Sequence, residues 1–148
     1  EVAALWKTRK SLSPALRHVA PKKINEDVVV PVSRIPDLIG RLRGLAEEHR
    51  ITIVNFGHAG NGNIHVNLLI DPDNADQMRA APPCLDAVFD LVLALDGSLS
   101  GEHGVGWMKR QFVDRELDPT ALELMRAIKG QFDPDNILNP GVGLPDRE

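Results

Sequence analysis

The sequence predicts an α+β fold in which a small antiparallel sheet is layered against helices. The segments with strand character are few, two of them form a hairpin-like pair, and amphipathic helices lie between and after them. A doubly wound sheet would need more strands. The length of 148 residues suits one domain, and a hydrophobic content of 43% is enough for an ordinary core.

The first segment, residues 1–10 (EVAALWKTRK), is predicted to be a helix. No capping residue precedes it and the chain does not begin with Met, so we expect an excised C-terminal piece of a longer protein. A processed N-terminus is the alternative. Residues 11–23 contain Pro14 and Pro21 and are predicted to form a loop with one helical turn.

The central part is predicted to contain three strands and one helix. Residues 26–32 form the first strand, and Pro31 indicates a sheet edge or a strand end. Residues 35–50 carry an apolar stripe with helical spacing, which predicts an amphipathic helix. Residues 51–56 and 63–71 are β-branched or alternating, and the Gly/Asn loop between them favours a hairpin.

The C-terminal half is predicted to be mostly helical. Residues 71–83 are expected to be loop, 84–97 a helix closed by glycine, and 98–112 a loop that becomes a short helix. An Asp-Pro pair predicts the start of a helix over 118–131, and 136–148 is expected to be irregular.

Charge and composition exclude several classes of function. The net charge is −4 and the basic residues are dispersed, which argues against a nucleic-acid binder. No apolar run is long enough for a membrane span, and the first residues do not resemble a signal peptide. The single cysteine, Cys84, excludes an internal disulfide, suits a reducing compartment and is interpreted as an ordinary small residue.

Two histidines bracket the first glycine-rich loop, GHAGNGNIH. Alternation on the following strand directs Ile64, Val66 and Leu68 to the core, so His65 and Asn67 project from the other face. A hairpin folds His58 back toward His65. The two imidazoles could therefore converge on one point.

The second glycine loop, SGEHGVG, sets Glu102 beside His103. Two imidazoles and a carboxylate form a three-ligand site for Zn²⁺, Mn²⁺ or Fe²⁺ with an open position. Two hydrogen-bonded loop histidines without a metal are the alternative. His103 suits a general base, because histidine is the side chain that exchanges protons most readily near neutral pH, and a surface histidine is the alternative.

Five segments carry a resemblance to a known family. GHAGNGNIHVN, SGEHGVGWMKR and NILNPGVGLP resemble the signatures of the FAD-linked oxidase C-terminal domain. ALWKTRKSLSPAL and EDVVVPVSRIPDLI resemble its W-x-x-R segment and its E-D-x-x-V-P strand with the helix that follows. Asn61 replaces an Asp of the family pattern and Val142 replaces a Lys.

The resemblance implies a flavoenzyme of the glycolate oxidase, D-lactate dehydrogenase and D-2-hydroxyglutarate dehydrogenase group, which oxidises a 2-hydroxy acid and passes a hydride to FAD. It implies a ferredoxin-like antiparallel sheet with helices on one face. Residues 1–148 would form part of a C-terminal substrate and cap domain. FAD would be held mainly by an N-terminal domain absent from this chain, so the fragment alone is expected to be inactive.

The resemblance also assigns roles to single residues. It implies that a divalent metal, often zinc, is bound by His58, His65 and Glu102, and that His103 is the base. It implies substrate contacts from Arg9, Ser13, Lys23 and Asn67, and a flavin contact from Asn139. A homodimer in the full-length protein, an electron-acceptor partner, and a cytoplasmic location, with peripheral contact to the inner membrane, are further expectations.

Other interpretations compete with these roles. Arg9 would otherwise be a solvated helix arginine, Asn139 a turn residue, and Lys109 part of a solvated face. A free-standing metal-binding module or metal hydrolase is an alternative function, and a catalytically silent cap domain is another.

Overall fold

A computed structural model describes residues 1–145 and contains one three-stranded sheet. Its strands are β1 (Lys22–Val29), β2 (Thr52–His58) and β3 (Asn63–Ile70). Their order is β1-β3-β2, and both pairings are antiparallel. The predicted α+β class is confirmed.

Five α-helices complete the architecture: α1 (Val2–Ala15), α2 (Ile35–His49), α3 (Ala75–Leu93), α4 (Val113–Glu116) and α5 (Pro119–Phe132). The run β1-α2-β2-β3-α3 is the ferredoxin-like order short of its last strand. An isolated antiparallel bridge between Val29 and Ser98 lies on the free edge of β1. The chain thus returns to this edge after α3 with a single bridge instead of a full strand.

The hydrophobic core lies between one face of the sheet and helices α2 and α3. The predicted alternation on β3 is confirmed, since Ile64, Val66, Leu68 and Ile70 belong to this core. The helices contribute buried residues that include Leu38, Leu42, Val88 and Phe89. Cys84 is also buried there, and desolvation raises the pKa of its thiol to about 11. It is a packing residue, as expected.

Two predicted loops are parts of helices, and both contain prolines. α1 continues to Ala15, because Pro14 lies in the last turn, where its missing N–H removes only a terminal bond. α3 begins at Ala75, nine residues before the predicted start. The Asn74 side chain caps it by accepting from the backbone N–H groups of Asp76 and Gln77.

Packing explains why α3 tolerates Pro82 and Pro83. Both prolines are exposed, whereas Ala81 and Cys84 on either side of them are buried in the core. The helix therefore keeps its buried face and gives up two backbone N–H donors on its solvent side. The sequence pattern alone does not reveal which face is buried.

Strand β1 begins at Lys22, before the predicted start at residue 26, because it pairs with β3 from Lys22↔Ile70 to Val29↔Asn63. The face of the sheet opposite α2 and α3 is approached by α1. Lys23 Nζ donates to Ser13 Oγ at 2.8 Å, and the Arg9 guanidinium carbon lies 5.3 Å from the centre of the Phe56 ring. Among the helices of residues 1–145, none has both the length and the apolar character to cross a membrane.

Candidate functional site

The candidate site lies on the sheet face that α2 and α3 leave uncovered. Strand register places Asp27, His65 and Phe56 side by side across the three strands. The neighbouring row toward the hairpin loop contains His58, which is paired with Asn63. The two histidines of the first glycine loop therefore lie on adjacent strands, as the hairpin predicted.

Three imidazoles converge on one carboxylate oxygen. The Oε1 atom of Glu102 lies 3.5 Å from Nε2 of His58, 3.4 Å from Nε2 of His65 and 3.8 Å from Nε2 of His103. The His65 and His103 rings are stacked with centres 5.3 Å apart, and the His58 ring stands edge-on to His65. His65 is buried, whereas the other three side chains are about half exposed. We call His58, His65, Glu102 and His103 the histidine cluster. It is buried on the side of His65 and open to solvent on the side of the other three residues.

The second glycine loop reaches the cluster because Gly101 has no side chain. A Cβ atom at this position would lie 2.0 Å from Nδ2 of Asn63 and 2.8 Å from Oδ2 of Asp27. Its backbone N–H donates to the Asp27 carbonyl at 3.2 Å. Only glycine permits this approach, which brings Glu102 over β3.

Asp27 is a residue of the candidate site that the sequence analysis missed. Its side chain is fully buried, and it accepts hydrogen bonds from Asn63 Nδ2 at 2.6 Å and from the backbone N–H of His103 at 2.8 Å. Burial is the largest influence on its pKa and raises it, but the hydrogen bonds and nearby cations together hold the pKa below its ordinary value. The signal was available in the E-D-x-x-V-P segment, where two adjacent carboxylates precede a run of valines.

Lys109 belongs to a buried ion pair and not to a solvated face. Its Nζ donates to the carbonyls of Asp27 at 2.6 Å and Leu99 at 2.8 Å, and it lies 3.5 Å from Oε2 of Glu26. Desolvation lowers the pKa of Lys109 and raises that of Glu26. The ammonium ties the second glycine loop to β1.

Burial also affects the central histidine. Desolvation lowers the pKa of His65, and the charges of Asp27 and Glu102 oppose this effect only in part. The neutral imidazole is therefore the favoured form near neutrality. A neutral ring is the form that binds a metal.

The predicted substrate residues lie on the same face of the sheet. Arg9 sits over Phe56, whose ring centre is 5.7 Å from that of His65. Asn67 is fully buried and donates to the Val54 carbonyl at 2.9 Å, and its Oδ1 has no partner within residues 1–145. Lys23 on β1 donates a hydrogen bond to Ser13 on α1, and this bond holds α1 against the same face of the sheet.

Asn139 lies elsewhere. It has a left-handed backbone conformation, with φ of 47°, and lines a cavity of about 470 Å³ between α5 and the C-terminal tail. Arg126 and Lys129 line the same cavity, and none of its described lining residues belongs to the histidine cluster. The structure does not join Asn139 to the other predicted site residues.

The donor set fits a divalent metal. Asp27, His65, Glu102 and His103 each offer a ligand atom, and these atoms lie within 4.8 Å of one another. Asp27 faces Nδ1 of His65 at 3.3 Å, whereas Glu102 faces its Nε2. Because the two nitrogens of an imidazole point in different directions, an ion bound at Nε2 would be shared with Glu102 and not with Asp27. His58 lies outside this group of four, but its Nε2 approaches the same Glu102 oxygen at 3.5 Å, so the predicted set of two imidazoles and a carboxylate also faces one point.

Comparisons with known proteins agree on one family. The profile described as FAD linked oxidases, C-terminal domain, matches residues 1–142. Glycolate oxidase subunit GlcD of Bacillus subtilis is 38% identical over 95% of the chain and 30% of its own length. D-2-hydroxyglutarate dehydrogenase of Stutzerimonas stutzeri is 38% identical over 93% of the chain and 30% of its own length. Probable D-lactate dehydrogenase, mitochondrial, of Danio rerio is 35% identical over 95% of the chain and 29% of its own length. The chain spans less than a third of the length of these relatives.

Proposed function

The chain belongs to the family of FAD linked oxidases, C-terminal domain, and from this membership we propose that it is the substrate-binding part of an FAD-dependent 2-hydroxy-acid oxidase or dehydrogenase. Glycolate, D-2-hydroxyglutarate and D-lactate, which appear in the names of the relatives, are all 2-hydroxy acids. Residues 1–148 then serve as a C-terminal substrate and cap domain, and FAD is held mainly by another domain of the same protein.

The convergence of three imidazoles on Glu102 is the observation that carries the proposal. We assign His58, His65 and Glu102 as the residues that hold a divalent metal, with zinc as the ion this donor set suits. Such a metal, when bound, supplies Lewis-acid polarisation of the substrate hydroxyl. His103 is the fourth side chain of the cluster and is not assigned as a ligand. Its backbone N–H donates to Asp27, and its side chain is half exposed.

His103 takes the proton of the substrate hydroxyl in this proposal. An imidazole is a side chain well suited to proton transfer at neutral pH. Its stacking on His65 holds the ring beside the donor set while its exposed edge stays open to substrate. FAD, when bound, supplies the acceptor for the hydride that leaves the α-carbon.

Arg9 binds the substrate carboxylate, since a guanidinium forms two parallel hydrogen bonds with a carboxylate. Its position over Phe56 brings this cation toward the histidine cluster. Asn67, whose buried Oδ1 has no partner within residues 1–145, is assigned as a further substrate contact, as are Lys23 and the α1 residue Ser13, which hydrogen-bond to each other. Asn139 is assigned to the flavin side, apart from these residues.

Two variants of the full-length protein separate ligation from proton transfer. Glu102→Gln should reduce the bound zinc, because a charged oxygen ligand is lost. His103→Ala should keep the zinc and lower turnover by about 10²–10⁴-fold, the range typical for loss of a general base. Zinc analysis and steady-state kinetics with a dye acceptor, on a panel of D- and L-2-hydroxy acids, measure both effects. Glu48→Gln, an exposed carboxylate change on α2, is the matched control.

Loss of zinc from His103→Ala would make His103 a ligand and overturn its role as base. Full activity in both variants would overturn the proposed site. Ester hydrolysis by the zinc-loaded protein without flavin, together with no oxidation of any hydroxy acid, would instead favour the metal hydrolase. The homodimer, the electron-acceptor partner and the cytoplasmic or inner-membrane location stay predictions.

A further inference from the structure

We propose that Asp27 is the positioning residue of this site, because its one carboxylate faces Nδ1 of the buried His65 ring and also holds the loop that carries Glu102 and His103. The inference rests on the proposed function, since it concerns how the assigned groups are held. Asp27 does not touch the substrate in this proposal.

The first step is the position of the carboxylate beneath the cluster. Asp27 pairs with His65 across β1 and β3, so both side chains project from the same face of the sheet. Its Oδ1 accepts from Asn63 Nδ2 at 2.6 Å and lies 3.3 Å from Nδ1 of His65, a charge contact in which the buried Nδ1 makes no hydrogen bond within residues 1–145. The Asn63 amide also donates to the Val28 carbonyl, so its NH₂ group is directed toward β1. The carboxylate is therefore held in one orientation from the β3 side.

The second step is the contact with the loop. Oδ2 of Asp27 accepts from the backbone N–H of His103 at 2.8 Å, although the two residues are 76 positions apart. The Asp27 carbonyl accepts from Gly101 N at 3.2 Å and from Lys109 Nζ at 2.6 Å. One residue thus links the strand that carries His65 to the residues on both sides of Glu102.

The third step concerns the tautomer of His65. A carboxylate at Nδ1 can only accept, so it favours the tautomer with the proton on Nδ1 and the lone pair on Nε2. Nε2 is the atom that faces Glu102. Glu102 competes for the proton from that side, but it is half exposed and solvated, whereas Asp27 is fully buried. We therefore expect Asp27 to determine which nitrogen is available to a metal.

A carboxylate is required because an amide cannot do both tasks. Asp27→Asn turns one of the two acceptor oxygens into a donor NH₂. If that NH₂ faces the His103 N–H, two donors oppose each other and the loop is released. If it faces His65 and Asn63, Nδ1 of His65 loses the facing carboxylate oxygen, and the ring loses its preferred tautomer. Either orientation breaks one of the two links.

The test compares Asp27→Asn with wild type in the complete natural protein. The apparent affinity for zinc, measured by competition with a chelator, should fall by about 10–100-fold, the usual effect of losing a residue that orients a ligand. The tautomer of His65 is measured on the zinc-free protein with ¹⁵N-labelled histidine at a pH where the ring is neutral. Wild type should carry the proton on Nδ1, and the variant should lose that preference.

Asp133→Asn is the matched control. It makes the same aspartate-to-asparagine change at a buried carboxylate that also accepts from backbone N–H groups, but Asp133 follows α5 and pairs with Lys129 and not with the histidines. It should leave the zinc affinity and the His65 tautomer unchanged. An equal loss of zinc affinity in both variants would show that the loss comes from general destabilisation, and it would overturn the proposal.

The tautomer of the wild type decides the question even if Asp27→Asn does not fold. A proton on Nε2 of His65 in the zinc-free wild type would overturn the proposal directly. If wild type binds no zinc, the proposed metal function fails, but the Nδ1 proton would still support the positioning role of Asp27.

Discussion

Phe56 joins α1 to the histidine cluster at the level of single residues. The Arg9 guanidinium lies over one part of its ring, and the His65 ring stands at its edge, 5.7 Å away between centres. The sequence analysis placed Phe56 in a strand and gave it no function. An aromatic residue next to a glycine loop is too common in sequences to predict a cation–π contact.

Phe56→Leu should weaken substrate binding while leaving the chemical step intact. Leucine keeps an apolar contact with α1 but removes the π-face, and exposed cation–π contacts contribute about 0.5–1 kcal/mol. We expect KM for the hydroxy acid to rise about two- to fivefold, since Arg9 is held less well, with kcat nearly constant. Steady-state kinetics of the full-length protein measure this. The control is Phe112→Leu, which makes the same change in a ring that lies beneath Arg115 and packs in the core, not beside the histidines. An unchanged KM would show that Arg9 does not depend on the ring.

Some contacts of the candidate site could be predicted from the sequence, and others could not. His58, His65 and Glu102 were predicted to converge, because a hairpin and a second glycine loop constrain them. Asp27 and Lys109 were not recognised as a linked pair, since their contact spans 82 residues. Whether a lysine is solvated or buried depends on which element covers it, and periodicity alone does not contain that information.

At the scale of elements, the second glycine loop is the part that the fold positions most closely. Gly101→Ala would place a methyl group 2.0 Å from the Asn63 amide nitrogen, so the loop must move away from β3. We expect the zinc affinity to fall at least as much as in Glu102→Gln, because the loop carries Glu102. Chelator competition measures this effect, and urea unfolding measures the accompanying loss of stability.

Gly60→Ala is the control for this substitution, because Gly60 lies in the first glycine loop with open space around its Cα and no positive φ. It should retain wild-type zinc affinity. Retention of zinc by Gly101→Ala as well would mean that the loop can ligate from a different position, which would contradict the close approach described above.

The element boundaries show which local signals are reliable. α2 and α5 begin within a residue of their predicted starts, because Pro36 and the Asp118 cap act locally. The Asp118 side chain accepts from the Thr120 N–H, as the Asp-Pro pair indicated. α1 and α3 were predicted too short, because prolines that normally end a helix are tolerated here by a terminal position or by packing.

At the scale of the whole molecule, the exposed apolar side chains are numerous for so small a chain. α5 and the tail expose Ile128, Phe132, Ile137 and Leu138, and α1 exposes Trp6. Large exposed apolar surfaces usually mark contacts with other protein. This surface agrees with the proposed FAD-binding domain of the same protein as its partner.

Residues 1–148 expressed alone should be colourless and inactive toward 2-hydroxy acids. The two glycine loops of this chain contain the residues of the histidine cluster. The sequence shows no further glycine-rich loop of the kind that binds phosphate groups. A visible spectrum of the purified chain tests this, with the full-length protein as the control. A stoichiometric flavin band in the chain alone would contradict the division of the protein into two parts.

The two edges of the sheet differ in their capacity to add another strand. On β1, Val29 exchanges backbone hydrogen bonds with Ser98, and the Asp27 carbonyl is taken by Gly101 and Lys109. The outer edge of β2 has no strand paired with it within residues 1–145. Since unpaired edges act as templates for aggregation, the intact fold offers an edge open along its whole length only at β2, while β1 is covered at its Asp27–Val29 end. A molecule that loses the contacts of the second glycine loop opens that end of β1 as well, and its aggregates can then extend in both directions.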